Sequence, residues 1–251
     1  MFRFSPNCDR RSLPILMYHR RPDDLRMQLQ YLQGELRSIP VHLTDDEVLS
    51  YLVGRSDEPP REKIVLTFDD AYEDFYGVNG VSGLLTALDC KATVCVPTGA
   101  IADNGHDRQT PEWTTPPKSP LMVWNELREL RKLKARDGEE LLEFIPHSVS
   151  HSSFDDHQTD VRAEVNHSKA VLGQRLEIQS NRIVFFCLPG GTGEGQPEIQ
   201  KVLWEEGYVG ALRAHAKKGH GWSRYSIPRC QPRNEDHLRE LLGKFDGFEC
   251  N

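Results

Sequence analysis

The sequence predicts an α/β fold with a parallel sheet, curved into a distorted, incomplete (β/α) barrel, and three observations carry that expectation. Short apolar, β-branched runs alternate with amphipathic segments along the whole length, which is the pattern of parallel strands joined by crossover helices. The units number about six or seven, a count that suits an incomplete barrel better than an open sheet. Finally, residues able to do metal and acid–base chemistry fall just after the apolar runs, at the strand ends that line the crevice of parallel α/β proteins. With no internal repeat and no dividing linker, residues 1–251 read as a single catalytic domain.

Taken in order, Leu13 to His19 reads as the first core strand, with His19 at its end. Asp24 to Leu36 has helical spacing, with Leu25, Leu29, Leu32 and Leu36 on one face. Thr44 is the expected N-cap of a second helix, with Glu47 at the capping-box position and Gly54 as its stop. Residues 56–61 form a surface loop, and the central strand begins at Lys63. Val81 to Leu88 reads as a helix and Ala92 to Val96 as a strand, followed by a polar, proline-rich excursion from Asp103 to Pro120. A helix is expected over Leu121 to Leu133, with Trp124, Leu127 and Leu130 inward, and a strand over Leu141 to Ile145, broken by Pro146. Asp160 to Leu176 is an amphipathic helix, Arg182 to Leu188 a strand, Pro197 to Glu206 a helix, Val209 to Leu212 a strand, and Glu235 to Leu242 the last helix.

Composition narrows the function. The chain has 31 basic and 38 acidic residues, a net charge of −7. Its arginine pairs, Arg10-Arg11 and Arg20-Arg21, are isolated, so a nucleic-acid partner is not expected. No apolar run approaches the roughly 20 residues of a membrane helix. Residues 1–12 lack the apolar core of a secretory signal, so the expected location is cytoplasmic. The six cysteines, Cys8, Cys90, Cys95, Cys187, Cys230 and Cys250, form no Cys-x-x-Cys pair and read as mostly buried thiols.

Two stretches hold the chemistry. Lys63 to Phe68 is a buried strand that ends in Asp69-Asp70. Neighbouring side chains on an extended chain point different ways, so one carboxylate can bind a metal while the other faces a substrate. Taken alone, the pair would more often cap a following helix. The second stretch, His147-Ser148-Val149-Ser150-His151, follows another short strand. If its loop turns helically, the two imidazoles share a face and reach one ion. Two nitrogens and a carboxylate oxygen suit Zn2+ or another borderline divalent metal.

These pieces, in this order, resemble the metal-dependent polysaccharide deacetylases with the NodB homology fold, carbohydrate esterase family 4. The matching segments are Leu13-Pro14-Ile15-Leu16-Met17-Tyr18-His19, Leu66-Thr67-Phe68-Asp69-Asp70, His147-Ser148-Val149-Ser150-His151 and Leu188-Pro189-Gly190-Gly191. Glu206-Gly207-Tyr208 and Ile227-Pro228-Arg229 follow them. The likeness is strongest to the branch acting on poly-N-acetylglucosamine and covers about residues 13 to 245.

The resemblance implies a hydrolase that removes N-acetyl groups from amino sugars of a polysaccharide, oligosaccharide or lipid-linked precursor. It makes Asp70, His147 and His151 the metal ligands, Asp69 the general base, and the N–H of Gly190, after Pro189, the oxyanion donor. This chain has Ala71 where the family has glycine, a position tolerant of alanine if φ is negative. Cys187 stands at the family's arginine position, so Arg229 is the candidate to tune the base, with Arg182 and Arg213 as alternatives. For the general acid, His215 in Leu212-Arg213-Ala214-His215 is the first candidate, with His220 behind it; His19 also reaches the site. Tyr72, Trp113, Trp124 and Trp222 offer faces for sugar stacking or, alternatively, for packing. The rival readings are an amidase or deformylase of the same fold, a catalytically impaired sugar-binding module, and a metal-free structural or interaction protein.

Overall fold

The computed structural model describes residues 13–114, 119–214 and 223–243. In chain order the elements are β1 (Ile15–Tyr18), α1 (Leu25–Gly34), β2 (Ile39–Val41), α2 (Asp46–Leu52), β3 (Lys63–Phe68), α3 (Val81–Leu88), β4 (Ala92–Val96), α4 (Trp124–Leu130), β5 (Leu142–Pro146), α5 (Val161–Leu176), β6 (Phe185–Cys187), α6 (Pro197–Glu205), β7 (Gly210–Leu212) and α7 (Glu235–Leu242).

Every ladder between these strands is parallel. One sheet runs β1-β3-β4-β5, with β2 also on β3, and a second pairs β6 with β7. The short segment from Ile227 to Cys230 joins the two, bridging Leu212 through Ile227 and Leu16 through Cys230. The wall is therefore continuous from β6 through β7 and β1 to β5. β5 and β6 lie side by side without a ladder, which leaves the barrel incomplete.

Strand alternation sorts the side chains into two layers. Ile15, Val65, Cys95, Ile145, Phe185, Cys187, Leu212 and Ile227 pack inside the barrel. Leu43 and the α2 residues Val48 and Leu52 join the same cluster, so α2 closes the end where the strands begin. Leu66, Phe68, Val94, Phe144 and Phe186 face outward and pack with Leu29, Leu85, Leu127 and Leu172 of the surrounding helices. Each such leucine, fully buried, stabilises the fold by about 1.5–3 kcal/mol. At the closed end Glu143 accepts hydrogen bonds from the Leu43 N–H (3.1 Å), Thr44 Oγ1 (2.6 Å) and Thr93 Oγ1 (2.8 Å).

Several expectations are corrected here. Thr44 does not cap α2, because its hydroxyl is bound to Glu143; Asp45 is the cap and accepts from the N–H groups of Glu47 and Val48. Glu47 pairs instead with Lys63, at 3.2 Å. β2 has only three residues, one of them Pro40, too few for an alternation to show. Pro146 ends β5 from within, since it is paired with Val96. The helix expected from Leu121 starts at Trp124, where Glu126 accepts from the Val123 N–H at 2.9 Å. Residues 180–182 form a 3-10 turn, so β6 is shorter than the expected strand. Cys90, Cys95 and Cys187 are buried and Cys230 partly so; Cys8 and Cys250 lie outside the described residues. No helix among the described residues is long and apolar enough to cross a membrane.

Candidate metal centre and active site

Asp69 continues the inward alternation of Val65 and Thr67 beyond β3, and its N–H donates to the Tyr18 carbonyl at 2.8 Å. Its carboxylate meets Arg229, from the segment that joins the two sheets, in a two-pronged pair: Nη1 to Oδ1 at 2.6 Å and Nη2 to Oδ2 at 2.7 Å. Arg229 is itself fixed by hydrogen bonds to Thr67 Oγ1 (3.0 Å) and the Arg213 carbonyl (2.9 Å). Burial alone would raise the pKa of Asp69, but the charge of Arg229, with smaller contributions from His147 and His19, holds it well below the usual carboxylate range.

Asp70 turns away from its neighbour. Its φ is +69° and that of Ala71 is +55°, so the chain makes two left-handed steps. Alanine is thus tolerated at a positive φ rather than the negative one expected. The pair caps no α-helix, since the next helical turn, Glu73–Phe75, starts only after Tyr72. The Asp70 side chain reaches the loop after β5, where Oδ1 lies 3.4 Å from Nε2 of both His147 and His151.

The histidine loop is not helical, contrary to expectation: Ser148 and His151 have φ of +64° and +61°. The loop is shaped by its partners. The His151 N–H donates to Ser148 Oγ (2.9 Å). Glu164, in the first turn of α5, accepts from the N–H groups of Val149 (2.8 Å) and Ser150 (2.9 Å). The Gly99 N–H donates to the Val149 carbonyl (2.8 Å), and a Cβ on Gly99 would sit 2.7 Å from Val149 Cγ1. His147 Nδ1 lies 2.9 Å from the Cys187 carbonyl. A carbonyl only accepts, so Nδ1 holds a proton, and in the neutral ring the Nε2 lone pair faces Asp70.

This donor set fits a divalent cation. Asp70 Oδ1 is buried and has no hydrogen-bond partner, an expensive arrangement unless a positive charge balances it. Burial resists a proton on His147, yet Cys187 and Asp70 raise its pKa well above the ordinary value, so the same negative potential favours a cation. One ligand atom from each of Asp70, His147 and His151 falls within 4.8 Å of the others. Asp69, Cys95 and Cys187 are equally close together, but both Asp69 oxygens are taken by Arg229, whose charge already satisfies that cluster.

The remaining expected site residues are placed as follows. Pro189 and Gly190 lie just beyond β6, on the same crevice side; Gly190 has φ +57°, and a Cβ there would meet nothing within 4 Å. His19 follows β1 and is partly buried. Cys187 Sγ is 3.7 Å from Asp69 Oδ1, so the residue at the family's arginine position does border Asp69. Neither alternative arginine does: exposed Arg182 pairs with Glu140 at 3.5 Å, and buried Arg213 lies 3.9 Å from Glu194. Tyr72 and Trp124 are core residues, buried too completely to stack on a sugar. Trp113 stacks on His151. His215, His220 and Trp222 lie outside the described residues. Sequence reasoning quoted Ser148 within the histidine motif without giving it a role, and missed Glu164 and Gly99; of these two only Gly99, a glycine after a buried strand, gave a local signal.

An eight-element wall of parallel strand segments, open at one seam and holding a His-His-Asp cluster beside a buried aspartate, has the form of a barrel hydrolase with a candidate metal site. A family model described as polysaccharide deacetylase matches residues 56–209, more than half of the chain. The chain belongs to the polysaccharide deacetylase family, and it is a carbohydrate N-deacetylase acting by hydrolysis on acetylated carbohydrate. Solved structures share the fold. The deacetylase PplD of Streptococcus pyogenes, in complex with acetate, is 20% identical with a TM-score of 0.67, over 94% of this chain and 99% of that one. IcaB from Ammonifex degensii is 19% identical with a TM-score of 0.67, over 92% and 95%. The deacetylase domain of BpsB from Bordetella bronchiseptica is 17% identical with a TM-score of 0.63, over 87% and 95%. Comparison with curated protein sequences finds no match.

Proposed function

We propose that the chain is a Zn2+-dependent deacetylase of poly-N-acetylglucosamine-type glycans, with Asp70, His147 and His151 as the metal ligands. The observation that carries the reading is the convergence of two Nε2 atoms on one partnerless oxygen of Asp70. A cation bound there would acidify the attacking water and polarise the amide carbonyl.

Asp69, kept ionised and aimed by Arg229, accepts the proton of the attacking water. The Gly190 N–H, following Pro189 in a left-handed turn that leaves space above it, donates to the developing oxyanion. His19, half-buried just beyond the end of β1, takes the role of protonating the leaving amine that was first considered for His215. The two-layered core running from β1 to α7 supports reading residues 1–251 as one catalytic domain.

The test is acetate release from fully N-acetylated glucosamine oligomers by the zinc-loaded protein. Release is expected, and the Asp69→Asn variant should lose about 10²–10⁴-fold in kcat. A zinc-loaded protein that frees no acetate, or frees formate from N-formyl analogues instead, refutes this assignment.

A further inference from the structure

The two histidines of the centre are held by different means. The His147 ring is pinned by its bond to the Cys187 carbonyl and is almost wholly buried. The His151 ring has 14% of its side chain exposed and lies flat against Trp113, with centroids 4.2 Å apart and planes 18° from parallel. Trp113 is carried by a tight turn. The Thr114 N–H donates to the Pro111 carbonyl at 3.1 Å, and the buried Thr114 hydroxyl donates to the same oxygen at 2.8 Å.

We propose that Trp113 is the positioning residue of His151, and that the metal and the turn over residues 111–114 stabilise one another through this stack. The proposal rests on the metal site argued above. An imidazole on a half-buried loop can rotate about its Cβ–Cγ bond and carry Nε2 away from Asp70. The indole covers one face of the ring and blocks that rotation, as the carbonyl does for His147. An ordered His151 favours the cation, and a bound cation in turn favours the stacked ring and the turn beneath Trp113; the coupling is reciprocal. It also means that the Trp113 face against His151 is not free to receive a sugar.

The experiment compares Trp113→Leu, which keeps apolar volume without an aromatic face, with Trp113→Phe, which keeps a face. Zinc affinity is read by competition with a chromophoric chelator, and geometry by the visible spectrum of the Co2+-loaded protein. The leucine variant should bind zinc about tenfold more weakly and show an altered Co2+ spectrum, while the phenylalanine variant stays within about threefold of wild type. In the wild-type protein, zinc should slow hydrogen exchange of the Trp113 and Thr114 amides, a measurement that needs no variant to fold. Unchanged zinc affinity in Trp113→Leu, or unchanged exchange at those amides, overturns the link. His151→Ala serves as the reference: if it too binds zinc like wild type, the metal site itself has been misassigned.

Discussion

Arg229 engages both carboxylate oxygens of Asp69, at 2.6 and 2.7 Å, from a segment 160 residues further along the chain. The pair is buried on both sides, with 0% and 3% of the side chains exposed. The arrangement fixes the Asp69 carboxylate and at the same time ties the barrel-joining segment to the end of β3. Removing one partner strands the other's charge in the interior. Arg229→Met should therefore destabilise the protein by about 3–5 kcal/mol. Arg229→Lys should fall in between, because an ammonium cannot reproduce the fork. Chemical denaturation reads both, and a methionine variant within about 1 kcal/mol of wild type would contradict a structural role for the pair.

Asp70 gives a prediction about metal removal. Chelation should abolish acetate release, and added zinc should restore it. At a zinc concentration one hundred times its dissociation constant, the folded state gains about 2.7 kcal/mol, visible as a higher melting temperature. Asp70→Asn should lose most of that response, whereas an identical zinc-dependent shift in both proteins would show that the cation binds elsewhere.

Ala71 sits at φ +55° with a buried side chain. A left-handed conformation costs a non-glycine residue roughly 1–2 kcal/mol, against which a glycine loses a small apolar contact and some unfolded-state entropy. Ala71→Gly is expected to raise stability by about 0.5–1 kcal/mol in urea unfolding. A loss of comparable size would mean that the methyl group's packing outweighs the strain.

Glu143 provides the contrast at the closed end of the barrel. Its carboxylate satisfies three donors, Leu43 N–H, Thr44 Oγ1 and Thr93 Oγ1. Glu143→Ala leaves them unsatisfied and should cost about 2–4 kcal/mol, with kcat close to wild type because that end of the barrel carries no chemistry. A fall in kcat without loss of stability would place Glu143 in the reaction instead.

The parts of the fold readable from the sequence are those with a local period. The apolar runs of β1, β3, β4 and β5 and the spacing of α1 and α5 need only neighbours a few residues away. Asp69 and Asp70 diverge as expected, though through a left-handed step at Asp70 rather than an extended chain, and Arg229 reaches Asp69. What stayed hidden depends on partners far along the chain. Thr44 is drawn off its cap by Glu143, 99 residues later. The His147–His151 loop takes its left-handed shape from Ser148, Gly99 and Glu164 together, so a helical turn was the natural but mistaken expectation. β2 was too short to announce itself.

The bond from His147 to the Cys187 carbonyl crosses the seam where β5 and β6 run together unladdered. At that seam, one imidazole does what a row of amides does elsewhere in the wall. If the two edges part, the ring loses its tautomer-fixing acceptor at the same moment. Closure of the barrel at this seam and orientation of the His147 ring are thus a single event.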